Sequence, residues 1–297
     1  MRYNLVIITS FSVGLCFFAL FGCDRAPNAE VICKNNPEIC SDLNKDGWCQ
    51  GEKNNLILHR FEIKDLKHPT GKQVYQQLTY LEDYSKCIEV ASGVQQIVHT
   101  HRTADRARAY TLSTENLNQL QAESKEYQDP FMSYYQWTRF NDTSALNRLL
   151  KQEEAGEVTD PFLLGQIATY YSSRNSLKSQ HLYLRVLSEI QYDDFDPSWL
   201  LGLAASFKQN QVFDKTYMLT KANILLTQQK YSQDKMLALI SGNKTMAKSL
   251  DAYAQDLVDT LRKGSYANSE VRAWLERSVS DLVVSPIKEE NSTNTPD

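Results

Sequence analysis

Glycine and proline are scarce, 11 and 8 in 297 residues. Beside plentiful Leu, Gln, Lys and Ser and long helical periodicities, that scarcity points to an all-α protein. An excess of positive charge is also missing: 32 basic side chains face 36 acidic ones, a formal charge of −4. Nucleic acid as a partner would want a strongly basic surface, so the balance argues against it. There is no Gly-x-Ser-x-Gly elbow and no glycine loop able to cradle phosphate. Histidine is rare, five in all, and His99 and His101 stand two apart, a spacing that points them in different directions on a helix. No motif for catalysis emerges. An apolar content of 42% is enough for a core, and the length permits one large domain or two small ones.

What is present begins at the N-terminus. One apolar run, Leu5 to Gly22, follows the single charge of Arg2 and closes in Leu20-Phe21-Gly22-Cys23. It resembles the signal of bacterial lipoproteins. The resemblance implies a signal peptide over 1–22 and acylation of Cys23 by a diacylglyceryl group and an N-acyl chain such as palmitate. It also implies a membrane-anchored life in a Gram-negative cell envelope, facing the periplasm. Asp24 then favours the inner membrane over the outer. A secreted protein cut nearby and an uncleaved anchor are the alternatives, the run being at the lower edge for spanning a bilayer.

Of six cysteines, Cys16 falls within the signal and Cys23 is the acyl site, leaving Cys33, Cys40, Cys49 and Cys87. An even count behind an export signal implies two disulfides. The pairing Cys33–Cys40 with Cys49–Cys87 is favoured, since the second bond clamps an irregular segment, 23–69, to the first long helix. Zinc is the rival, but the spacings fit poorly. Between Cys40 and Cys49, Asp42, Asn44 and Asp46 alternate, then Gly47 and Trp48, whose carbonyl completes the first half of a calcium loop. Lys53 stands where a bidentate glutamate is needed. The alternatives are a calcium-dependent binding module or an Asp/Asn/Gly turn held by its neighbours; no other cofactor is expected.

Downstream the chain reads as helix after helix. Val74, Leu78, Leu81, Ile88 and Val94 form one stripe on a helix over 70–98. A second helix, 114–127, begins at Ser113 or Thr114, making 70–128 a long hairpin. Then Asp129-Pro130, Asp160-Pro161 and Asp196-Pro197 each open a new apolar-periodic segment: aspartate caps free amides, and proline suits the first helical position. Hairpins follow at 130–140/143–155, 161–173/176–190, 197–209/212–229 and 232–241/244–262, and a capping helix at 268–283 completes the 129–284 region. The tail, 285–297, lacks apolar pattern and is expected to be disordered.

A helix-turn-helix period near 34 resembles degenerate tetratricopeptide-like repeats. Leu164-Gly165 and Leu201-Gly202 echo that family's Leu-Gly pair, and Tyr170 or Tyr171 and Phe207 its first-helix aromatic. The fold class expected is therefore an array of antiparallel helical hairpins behind a disulfide-braced segment. The rival is an irregular helical bundle. The Asp-Leu-Asn-Lys-Asp-Gly-Trp-Cys run, 42–49, and the helical part after it are similar to an uncharacterised family of Gram-negative envelope proteins, which implies location and fold and no chemistry.

Glu123-Ser124 resembles the start of a lytic transglycosylase motif, but Lys125-Glu126-Tyr127 stands in place of its glycine and the residues after it. His99, His101, Arg102, Arg106 and Arg108 form a basic patch, read as a solvated helix end over the alternative of a lipid-facing surface. Tyr134, Tyr135, Trp137, Tyr170, Tyr171, Trp199 and Phe207 fill seams between hairpins or line a groove. The expected role is a non-catalytic scaffold binding an envelope protein or peptide. A cell-wall enzyme or glycan-binding factor is the alternative.

Overall fold

The computed structural model describes residues 28–284. Cys23, Asp24, the signal 1–22 and the tail 285–297 lie outside the described residues. All-α architecture is observed: thirteen α-helices, four short 3₁₀ turns and no strand among the described residues. None of these helices is long and apolar enough to cross a membrane. The described residues divide into two compact units, 28–69 with 76–121, and 70–75 with 122–284.

The first unit is built from α1 (Ala29–Asn35), α2 (Gln50–Ile63), most of α3 (Gly71–Ser92) and α4 (Thr100–Glu123). Its core gathers Ile32, Leu56, Leu81, Tyr84, Ile88 and Ala109. The segment expected to be irregular thus carries two helices. The first long helix stops at Ser92, before Gly93, rather than at 98. The second starts at Thr100, fourteen residues before Thr114, because Ser113 is no cap. Its hydroxyl sits in mid-helix, donating to the Tyr110 carbonyl (2.9 Å) and lying 3.2 Å from the Ser85 hydroxyl. Both disulfides form as paired above, Cys33–Cys40 and Cys49–Cys87.

In the second unit the Asp-Pro pairs open helices. Asp129 Oδ1 accepts from the Phe131 and Met132 amides (3.0 and 3.3 Å) at the start of α5 (Pro130–Phe140), which packs on α6 (Thr143–Glu154). Asp160 does the same for Phe162 (3.0 Å) at α7 (Pro161–Tyr171), paired with α8 (Ser176–Glu189). Asp196 accepts from Ser198 (2.8 Å) at α9 (Ser198–Gln209), paired with α10 (Phe213–Thr227). α11 (Gln233–Leu239), α12 (Lys244–Arg262) and α13 (Glu270–Val284) follow, α12 packing on α10 and α13 on α8 and α12. Buried Lys215 ties α13 down: its ammonium donates to the carbonyls of Trp274 and Leu275 and lies 4.3 Å from the Trp274 ring centre.

The two Leu-Gly pairs have a packing role. A Cβ on Gly165 would stand 2.6 Å from Trp199 Nε1, and one on Gly202 would meet the Tyr183 hydroxyl. Each glycine admits an aromatic ring against a helix backbone. Gly165→Ala and Gly202→Ala should each lower stability by about 1–3 kcal/mol, as overpacking does. Gly47 differs: it has open space around its Cβ position and no positive φ. In urea unfolding, which reads all three variants, Gly47→Ala should stay within about 0.5 kcal/mol of the parent.

Candidate functional site

Two arrangements merit a functional test. The first is the acidic loop. Asn44, Asp46 and Trp48 gather within the loop, whereas Asp42 turns away from them. Asp42 forms a two-pronged pair with Arg60 of α2, both contacts 2.8 Å, and accepts from Asn116 of α4 (2.9 Å). Asp46 turns to Arg106 of α4, at 2.8 Å from Nε and 2.6 Å from the second guanidinium nitrogen. The Asn44 amide nitrogen stays inside the loop, donating to Asp46 Oδ1 (2.7 Å) and to the Trp48 carbonyl (3.1 Å). Its backbone N–H donates to the Tyr84 hydroxyl (2.9 Å), which in turn donates to Asn44 Oδ1 (3.0 Å).

Protein groups already engage the oxygens expected to bind calcium. Lys53, at the twelfth position, is buried, and its ammonium donates to the carbonyls of Asn44 (3.1 Å) and Asp46 (2.7 Å). A protein cation thus occupies the loop's inner side, and guanidiniums neutralise both carboxylates. No group of three or more His, Cys, Asp or Glu able to hold a metal exists among the described residues. Arg108 donates to the Ser41 and Leu43 carbonyls (both 3.0 Å), and Asp105 accepts from the Lys45 amide (2.8 Å). Two members of the basic patch, Arg106 and Arg108, therefore hold the loop. Arg106 is 1% exposed.

These contacts set charge states. Burial raises the Asp46 carboxyl, but hydrogen bonds from Arg106, Asn44 and the Trp48 amide outweigh it and hold the group below 3.8. Burial depresses the Lys53 ammonium from its ordinary value, partly offset by Asp46 and Asp105. Since the Asp46 value is lower folded than unfolded, its contribution is complete above pH 3.8 and disappears as pH falls through the folded value. Lys53 has the opposite effect: the cost of burying its charge is present at neutral pH and is relieved only as pH rises towards 10.5. The urea midpoint of the parent should exceed that of Asp46→Asn by a constant margin at neutral pH and converge on it below about pH 4. An undiminished margin at pH 3 would contradict the assignment.

The second arrangement is aromatic. Trp199, Phe207 and Tyr135 are core residues, whereas Tyr134, Trp137, Tyr170 and Tyr171 are half-buried. The half-buried rings join Tyr75, Phe131 and Phe162 in one run within the second unit. Tyr75 lies 5.5 Å from Phe131, Phe131 stacks on Phe162 at 6.5 Å, and Tyr134 meets Phe162 edge-on at 5.5 Å. Trp137 follows at 6.0 Å from Tyr134, then Tyr170 at 5.5 Å and Tyr171 at 5.3 Å. The rings come mostly from α5 and α7, where positions 131, 134 and 137 share one helix face. The Tyr134 hydroxyl donates to Gln166 Oε1 (3.1 Å), and burial raises its pKa. Arg174 stacks over Tyr170 at 4.2 Å. Sequence reasoning named most of these rings but missed Tyr75, Phe131 and Phe162; Phe131 and Phe162 come directly after the Asp-Pro caps, a usable signal.

Fold and sites together define a class: an all-helical protein with a disulfide-braced first unit and helical pairs behind it. The chain belongs to the family described as "Protein of unknown function (DUF2989)", whose model matches residues 20–221, from before the braced loop into α10. No curated protein and no solved structure matches the chain significantly.

Proposed function

We propose that the protein is a periplasm-facing envelope lipoprotein, acylated at Cys23, whose second unit is a tetratricopeptide-like array of hairpins that binds a protein or peptide partner without catalysis. Asp24 favours the inner membrane. The observation that carries the binding role is the half-buried aromatic run from Tyr75 to Tyr171. Half-buried rings, most of them packed against the core, offer apolar contact at low entropic cost, as partner-binding surfaces do. Two disulfides suit an oxidising compartment.

The test is photo-crosslinking in the native host, with benzoylphenylalanine replacing Trp137, Tyr170 or, as control, Met246, which is exposed on α12. A discrete protein adduct from Trp137 and Tyr170 but not from Met246 is expected. Adducts equal at all three positions contradict the reading, and adducts to cell-wall glycan favour the glycan-binding alternative. Cys23→Ser should free the protein from membranes washed at high salt; retention there would count against the anchor.

A further inference from the structure

The far end of the first unit is unlike the rest of its surface. α3 ends at Ser92 and α4 begins at Thr100; the last turn of α3 presents Val90 (69% exposed), and the connection that follows presents Val94 (37%), Ile97 (92%) and Val98 (84%). This is a formed turn: the Gln96 amide donates to Thr103 Oγ1 (2.9 Å), and the Arg106 guanidinium donates to the Val94 carbonyl (3.5 Å). Arg106 also lies over the Trp48 ring at 4.9 Å, which places Trp48, 40% exposed, at the same end. From Val90 to Ala104 the chain has no acidic residue, while His99, His101 and Arg102 are all exposed. Full exposure of two adjacent aliphatic side chains, with a tryptophan and basic groups beside them, is the composition of an interfacial membrane contact.

We infer that the α3–α4 turn touches an anionic phospholipid surface. Ile97 and Val98 enter the boundary between headgroups and acyl chains, Trp48 sits at headgroup level, and Arg102 with the two histidines faces lipid phosphates. Charge complementarity selects this occupant: the turn lacks the carboxylates that an anionic surface would repel. The acylation proposed above adds to it, since five residues from Cys23 to Asn28 reach at most about 18 Å and keep the first unit beside the bilayer.

The test uses unacylated chain, residues 23–297 with Cys23→Ser, so that its outcome does not depend on the anchor or on the aromatic run. Co-sedimentation is measured with vesicles of phosphatidylcholine alone or with about one-third phosphatidylglycerol. Binding to the anionic vesicles is expected, reduced at least about tenfold by Ile97→Asp with Val98→Asp and unaffected by Leu201→Asp in the second unit. A polarity-sensitive dye on Val98→Cys should shift to the blue only with anionic vesicles, which covers the case in which the double variant folds poorly. Absence of binding, equal binding to neutral vesicles, or an unshifted dye each overturns the inference. So does a dimer in sedimentation equilibrium that the double variant abolishes, which would assign the turn to a second copy of the chain.

Discussion

Arg106→Met lowers the stability of the first unit by about 3–5 kcal/mol, the usual cost of removing one partner from a buried ion pair. The size reflects the groups that the change leaves behind. Arg106 is 1% exposed and its side chain fills space between α3, α4 and the loop. Without it, Asp46 keeps a half-buried carboxylate whose strongest donor is gone, and the carbonyls of Ala91, in α3, and Val94, just past it, each lose a guanidinium contact. Asp46→Asn with Arg106→Met should recover part of the loss, because the pair's absence costs less than an unpaired member. Hydrogen exchange on peptides from residues 28–121 reads this unit separately from the other. Protection in the single variant equal to the parent would show that the pair is a surface contact of little value.

The second large effect concerns the disulfides. Replacing Cys49 and Cys87 together by serine should cost about 4 kcal/mol, against about 2 kcal/mol for Cys33 with Cys40, from loop-closure entropy. The difference comes from loops of 38 and 7 residues. The longer bond also joins Cys49, whose φ of 56° starts α2 in a left-handed conformation, to the middle of α3. Losing it frees the Cys49 end of the acidic loop, while Cys33–Cys40 still holds the other. Equal losses in the two variants, by urea unfolding without reductant, would contradict the entropic account.

The second unit's helices were legible because their signals are local. An Asp-Pro pair caps the amides next to it, so a few residues suffice to find the start. The first unit was less legible for a physical reason. α2 buries Lys53 and His59 alongside Leu56 and Ile57, which breaks the apolar stripe. α4 buries Arg106, Ala109 and Ser113, a face with no large apolar side chain, so its first half shows no hydrophobic period. The uninterrupted stretch between Gly93 and Pro130, free of both glycine and proline, was the available clue. The loop's packing was not legible because Asp42-x-Asn44-x-Asp46-Gly47 records spacing along the chain, while the loop's partners, Arg106 and Asn116, lie 60 and 74 residues away. Position 12 held the decisive hint: a lysine supplies inside the protein the charge that a metal would bring.

Calorimetric titration of calcium into the protein tests whether Lys53 stands in for a metal. With Lys53 against the loop carbonyls and both carboxylates paired to arginine, the titration should show no saturable heat and the melting temperature should not move. Saturable binding that raises the melting temperature and is lost in Asp42→Ala would contradict it.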